Sequence, residues 1–377
     1  MTKIILLDVD GVLVTPGGYR AALHATLNHF AHLMEASQYN LEEEQLSEFE
    51  KRGIFSEWDM TPLLIGAMWN EVLSHHPGVR LPANLTAAAK EIGQDLNHKH
   101  LPEHLHIPFF QIEDGKYPAE SALQQGCFPN IPQELRVKLL SRTRDIHFSE
   151  TMQVFQQFSL GSRIFEKTYK LPAAFETESL LSKHDVSNLT KETLAKLKND
   201  RYYLSVLTAR PSSPPREVEN PPFGYAPEAE LALELVGLAG IPITAFGKLE
   251  YIAAQQGLDP VVLLKPSPFQ ALAGTLAAWT GDELGALQAA YDWHTTGKLH
   301  SRFAELPKSF DLIVVEDTMG GIRSTQSADE ILKKAGFNVT VRPFGLTLGS
   351  TTKASTFEKA GVPYYEDWQT LAVEIGL

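Results

Sequence analysis

An uninterrupted apolar run, Ile4-Ile5-Leu6-Leu7, closes on Asp8-Val9-Asp10-Gly11. β-Branched and aliphatic residues without polar alternation mark a strand buried on both faces, the kind that sits inside a parallel sheet. In an extended chain Asp8 and Asp10 point the same way, and Gly11 lets the backbone turn at once. Two carboxylates on one side of a strand end repel each other unless a positive charge lies between them or one holds a proton. That suits a divalent cation together with a nucleophile and an acid/base pair. An Asp-Gly turn with solvated carboxylates also fits the tetrad alone, so later residues must decide.

From Tyr19 to about Lys183 the sequence reads as helices with short breaks. Tyr19, Ala22, Leu23, Thr26, Leu27, Phe30, Leu33 and Met34 fall on one helical face. Further helices are expected at 41–52, 61–74, 84–97, 132–143 and 151–165, with prolines between them. Nothing in this block alternates as strand. After Asp185 the character changes: Asn188 or Thr190 is placed to cap a short helix, and the apolar run 202–207 comes next. Strands are then expected at 243–246, 261–264, 312–315 and 338–341. They alternate with helices at 228–238, 249–256, from 269, near 282–293, 322–335 and after 366. Such alternation predicts an α/β fold, a Rossmann-like, mostly parallel sheet with helices on both faces. The first strand belongs to that sheet, so the core is discontinuous, residues 1–15 plus 186–377, with an all-α insertion at 16–185.

A chain of 377 residues is long enough for two domains with separate cores. The net charge of -13 argues against nucleic-acid and anionic-membrane partners but leaves room for a small anionic substrate in a locally positive pocket. A single cysteine, Cys127, excludes an intrachain disulfide framework and fits a reducing, cytoplasmic setting. Asp8 cuts short the apolar N-terminus, so no signal-peptide core is expected there, and no later run is long enough to span a bilayer. Oligomeric state is not legible.

In a parallel sheet ligands bind outside the carboxyl ends of the strands. The residues just beyond the expected strands are chemically coherent: Asp8 and Asp10 after the first, Thr208 in LSVLTAR, Lys265 in LLKPSPFQAL, and Glu316-Asp317 in VVEDTMGGI. Taken singly, each has a plain structural reading: a strand-end hydroxyl, a solvated turn lysine, and a pair of acids capping the next helix. Together the stretches resemble the four motifs of the haloacid-dehalogenase-like (HAD) hydrolase superfamily. DVDGVL is similar to its first motif, Thr208 to the second, Lys265 in K-P-x-P to the third, and Glu316-Asp317-Thr318-x-x-Gly321-Ile322 to the fourth. The K-P-x-P and E-D-T-x-x-G-I forms resemble the phosphoglycolate-phosphatase and β-phosphoglucomutase-like branch, as does the tail from Gly336. About half of the chain, the core, is covered.

The resemblance implies a phosphatase that works through an aspartyl-phosphate. Asp8 is then the nucleophile. Mg²⁺ is held by Asp8, the Asp10 backbone carbonyl and Asp317, assisted by Glu316. Asp10 protonates the leaving oxygen and later activates water. Thr208 and the N–H groups of Val9 and Ala209 bind phosphoryl oxygens, and Lys265 neutralises charge and keeps Asp8 ionised. Gly320-Gly321 reads as a tight turn into a helix, Arg323 as a surface residue, and Arg210 as a substrate contact on the loop at the site's rim. The insertion lies where the family carries a helical cap that selects substrate, but its length, about 170 residues (16–185), is unusually large and leaves the substrate open. His98, His100, His104 and His106 match no zinc spacing and read as solvated loop residues, as do His24, His29 and His32. Arg142, Arg144, Arg163 and Lys167 read as solvated helix faces. The expected activity is hydrolysis of a small phosphorylated metabolite. The alternatives are a phosphomutase of the β-phosphoglucomutase kind and, in another class, a non-catalytic binding module on the same fold.

Overall fold

Strand β1 (Thr2–Leu7) runs through the middle of a six-stranded sheet, and its alternate side chains enter two different cores. Ile4 and Leu6 join Leu312, Val314, Phe269 and Leu276 on one face. Ile5 and Leu7 join Ile313, Val315, Val206 and Trp368 on the other. These four of the six β1 side chains are fully buried, each contributing roughly 1.5–3 kcal/mol of apolar burial. That explains an apolar run without alternation: both faces of the strand are interior.

The computed structural model describes residues 2–95, 101, 104–199 and 201–377. The chain divides into two compact units, Met1–Pro16 with Asp185–Leu377, and Gly17–His184. It leaves and re-enters the first unit through an antiparallel pair, β2 (Val14–Thr15) and β3 (Val186–Ser187). The remaining strands are β4 (Tyr202–Leu207), β5 (Ile243–Thr244), β6 (Ser309–Glu316), β7 (Asn338–Leu346) and β8 (Tyr364–Tyr365). Sheet order is β5-β4-β1-β6-β7-β8, every pairing parallel. The expected Rossmann-like α/β architecture is therefore present. Leu7 pairs with Val206 on one side and Val315 on the other, which brings the carboxyl ends of β1, β4 and β6 level with one another. The chain passes from β1 to β4 and later returns to the opposite side of β1 as β6. This reversal of strand order opens a crevice at those ends.

Helices cover both faces. Phe246–Gln256, Pro268–Thr280, Glu283–Thr296 and Met319–Lys334 pack on one, and Lys191–Leu197, Glu228–Leu235 and Trp368–Ile375 on the other. Thr190, not Asn188, caps its helix by accepting from Thr193 N–H. One expected strand is absent. Residues 261–263 fall in a short 3-10 turn, Pro260–Leu263, begun by Pro260, capped by Asp259 and ended at Leu264, with Val261 and Val262 59% and 50% exposed. A proline start and two outward valines leave no second face to bury in a sheet.

Among its described residues the other unit has helices joined by loops and no strand, with a core of Phe30, Leu63, Trp69, Phe128 and Phe155. The helix expected over 151–165 is two, Glu150–Leu160 and Ser162–Tyr169, broken at Gly161 (φ 79°). A Cβ there would stand 2.7 Å from Ser179 N, so glycine is required. His29 is not a solvated residue as expected. It is half-buried on the helix Gly18–Leu33 against Phe158 and Phe175, and burial pushes its imidazole below its ordinary value. Arg144 pairs with Asp59 at 2.9 Å and lies over the Trp58 and Tyr117 rings. Arg142 pairs with Asp145, and Arg163 and Lys167 are exposed. Among the described residues no helix is long and apolar enough to cross a membrane.

Candidate active site

Asp8 stands directly beyond β1, its N–H donating to Val315 O at 3.0 Å so that β1 and β6 stay paired to the last residue. The chain then turns tightly. Leu13 and Val14 N–H groups return to Val9 O, and Gly11 N–H to Val14 O. Trp368 Nε1 (2.8 Å) and Asn188 Nδ2 (3.1 Å) both donate to Val12 O, pinning the loop from outside. Asp8 is 6% exposed; its Oδ1 accepts from Val9 N–H at 2.8 Å, and its Oδ2 lies 2.8 Å from Lys265 Nζ.

Lys265 Nζ also lies 2.8 Å from Glu316 Oε1 and donates to Leu207 O at 3.4 Å, so one ammonium joins the ends of β1, β4 and β6. The loop that carries it is fixed by Gln270, a wholly buried residue not singled out from sequence. Its Oε1 accepts from Lys265 N–H, and its Nε2 donates to Thr208 O and Thr244 O. Asp317 Oδ2 accepts from Lys353 Nζ at 2.6 Å, a second lysine contributed by the helix Thr351–Ala360. The acidic pair thus faces ammonium groups. Thr318, not either acid, occupies the cap position of the next helix.

Two glycines make room for these acids. Gly11 has φ +73°, and a Cβ there would stand 2.3 Å from Asp317 Oδ2. At Gly321 the distance to Glu316 Oε1 would be 1.7 Å, so the helix Met319–Lys334 approaches the carboxylate as only glycine permits. This agrees with Gly320-Gly321 as a tight turn into a helix; Arg323 is exposed on it.

Asp10 takes a different partner. Its carboxylate receives Arg210 Nε at 2.9 and 3.1 Å, and Arg210 Nη1 lies 2.9 Å from Asp185 Oδ2. Arg210, expected at an exposed rim, is 2% exposed at its side chain. Thr208 is buried, its hydroxyl accepting from Arg210 N–H at 3.2 Å, whereas Ala209 between them is exposed.

One carboxylate oxygen from each of Asp8, Glu316 and Asp317 falls within 4.8 Å of the others. The Asp10 carboxylate is not in this group. Burial pushes the Glu316 carboxyl well up, Asp8 adds to the push, and Lys265 opposes it. Asp317 is raised for the same first two reasons and pulled back by Lys353. Burial works against the Lys265 ammonium, but Asp8 and Glu316 outweigh it and keep the lysine charged. With all three carboxyls ionised, as a bound cation would favour, they exceed the two ammonium groups by one negative charge in a largely buried crevice. All-oxygen ligands with a residual negative charge fit a hard divalent cation such as Mg²⁺.

His104 and His106 belong to no comparable cluster among the described residues, and His98 and His100 lie outside those residues. Cys127 is buried, which pushes its thiol up and away from nucleophilic use. No protein-family model matches the chain, and no curated protein matches it.

Proposed function

We propose that this chain is a Mg²⁺-dependent phosphatase of the HAD-like kind, acting on a small phosphorylated metabolite through an aspartyl-phosphate. The observation that carries the reading is the Asp8 carboxylate at the switch point of the sheet, 2.8 Å from Lys265 and within one ligand cluster with Glu316 and Asp317. A phosphate monoester resists attack because its own oxygens repel nucleophiles, so catalysis needs charge neutralisation and in-line positioning. Asp8, Glu316 and Asp317 are the residues that would hold Mg²⁺, which when bound offsets charge on a phosphoryl oxygen.

The chain's own residues supply the rest. Asp10 takes up a proton as substrate binds; Asp8 then attacks phosphorus as the ester bond breaks, and Asp10 passes that proton to the departing oxygen. A water then attacks the aspartyl-phosphate, Asp10 takes a proton from it, and inorganic phosphate leaves with Asp8 restored. Lys265 keeps Asp8 ionised before attack. Thr208 and the N–H groups of Val9 and Ala209 are the donors for phosphoryl oxygens. Substrate entering the site displaces the Val9 N–H from Asp8 Oδ1, its partner in the free protein. The helical unit Gly17–His184 is, in this reading, the cap that chooses the substrate. Screening phosphorylated metabolites for phosphate release with Mg²⁺ and with EDTA tests the proposal. Mg²⁺-dependent release from at least one substrate is expected, and none from any, or release indifferent to EDTA, contradicts it.

A further inference from the structure

We propose that Arg210 is a positioning residue for Asp10, and that the buried Asp185 carboxylate is what orients it. This rests on the reading of Asp10 as the group that moves the proton. The three side chains form a graded series: Asp185 is 1% exposed, Arg210 2%, and Asp10 38%. A guanidinium is a planar fork whose edges have fixed directions, so binding a carboxylate at one edge sets where the other edge points. Here the Nε–Nη2 edge donates to Asp10, with Nε 2.9 and 3.1 Å from its two oxygens, while Nη1 pairs with Asp185 Oδ2 by charge at 2.9 Å, outside hydrogen-bond geometry. The backbone is fixed as well. Arg210 N–H donates to Thr208 Oγ1, and Phe246 N–H donates to Arg210 O at 3.0 Å.

A substrate-binding arginine presents its fork to the open crevice. This one turns its fork to two carboxylates of the protein, and only the far carboxylate, Asp10, reaches the accessible side. The arrangement therefore acts on Asp10. It selects one rotamer for a short side chain at the edge of a turn, so that the proton Asp10 takes up as substrate binds is delivered in a fixed direction. Asp185 is sequence-remote from Asp10 and directly precedes β3, where the chain returns to the sheet unit. Neither composition nor spacing singles it out.

The test compares phosphate release from an alkyl phosphate, whose poor leaving group needs the proton, with release from an activated aryl phosphate, which does not. Asp185→Ala and Arg210→Lys should each lower the alkyl-to-aryl rate ratio about tenfold or more. Asp185→Asn, which keeps the shape but not the charge paired with Arg210, should show most of the same loss. In an Asp10→Asn background neither substitution should lower the ratio further. Arg210→Lys keeps the buried charge, so the test does not hang on one variant folding. An unchanged ratio in the single variants, or a further fall in the Asp10→Asn background, overturns the positioning role alone. If Asp10→Asn itself leaves the ratio at the wild-type value, the acid/base reading fails and takes this inference with it.

Discussion

Lys265 Nζ lies 2.8 Å from Asp8 Oδ2, inside a crevice that also buries Glu316 completely. Removing one partner of a buried ion pair leaves the other charge uncompensated, which costs about 3–5 kcal/mol. Lys265→Met should therefore destabilise the protein by roughly that amount in urea unfolding at neutral pH, besides abolishing turnover. Because the loss comes from stranded carboxylates, the double variant Lys265→Met/Glu316→Gln should regain part of it. A double variant less stable than the single would contradict the electrostatic account.

Gly11 answers a steric demand as well as a conformational one. Gly297 is the control, with φ +70° and nothing within 4 Å of an added Cβ. Gly297→Ala should cost only the left-handed backbone penalty, about 1–2 kcal/mol. Gly11→Ala should cost that and also drive Asp317 out of place, weakening Mg²⁺ binding in titration calorimetry. Equal Mg²⁺ affinity in Gly11→Ala and the wild type would show that the cradle is not needed.

A ligand that binds the folded state alone stabilises it by mass action, about 2.7 kcal/mol at a hundredfold excess over Kd. Mg²⁺ should raise the unfolding temperature without any substrate, and EDTA should reverse the rise. In Asp317→Asn the rise should shrink. A rise of the same size in that variant would remove Asp317 from the ligand set.

Away from the site, Lys248 lies 3.0 Å from Glu283 and 3.5 Å from Glu230, both lysine and Glu283 being 2% exposed at the side chain. Burial pushes the Glu283 carboxyl up, but Lys248, Arg216 and the Ile243 N–H together hold it below its ordinary value. Burial wins at Glu230, which is raised despite Lys248. A depressed carboxyl contributes stability above its unfolded value, about 4.3, and loses it as pH falls through the folded value. A raised one does the opposite and weakens the fold at neutral pH. Glu283→Gln should cost about 3 kcal/mol at pH 7 and progressively less toward pH 3, whereas Glu230→Gln should be neutral or stabilising at pH 7. Urea unfolding across that range checks both signs.

Much of the sheet was legible because its signals are local. The apolar run of β1, the DVDG turn and the strand-helix alternation after 202 each depend on neighbouring residues. The run 261–264 misled because four apolar residues are too few to fix a period. Lys265 nevertheless reaches the site, from a turn instead of a strand. Lys353, Gln270 and Asp185 were not legible as site residues. Each has at least one partner distant in sequence, and a Lys, Gln or Asp carries no local mark of such a partner. His29 failed similarly: its helical position was readable, but the aromatic rings against it come from two other segments.

The most direct measurement is phosphate release from an activated aryl phosphate, with saturating Mg²⁺, by the wild type and by Asp8→Asn. Circular dichroism would show both to be equally folded. Turnover is predicted for the wild type and none for the variant, because the amide cannot form the aspartyl-phosphate. Turnover by Asp8→Asn at a rate near the wild type's would contradict the aspartyl-phosphate mechanism outright.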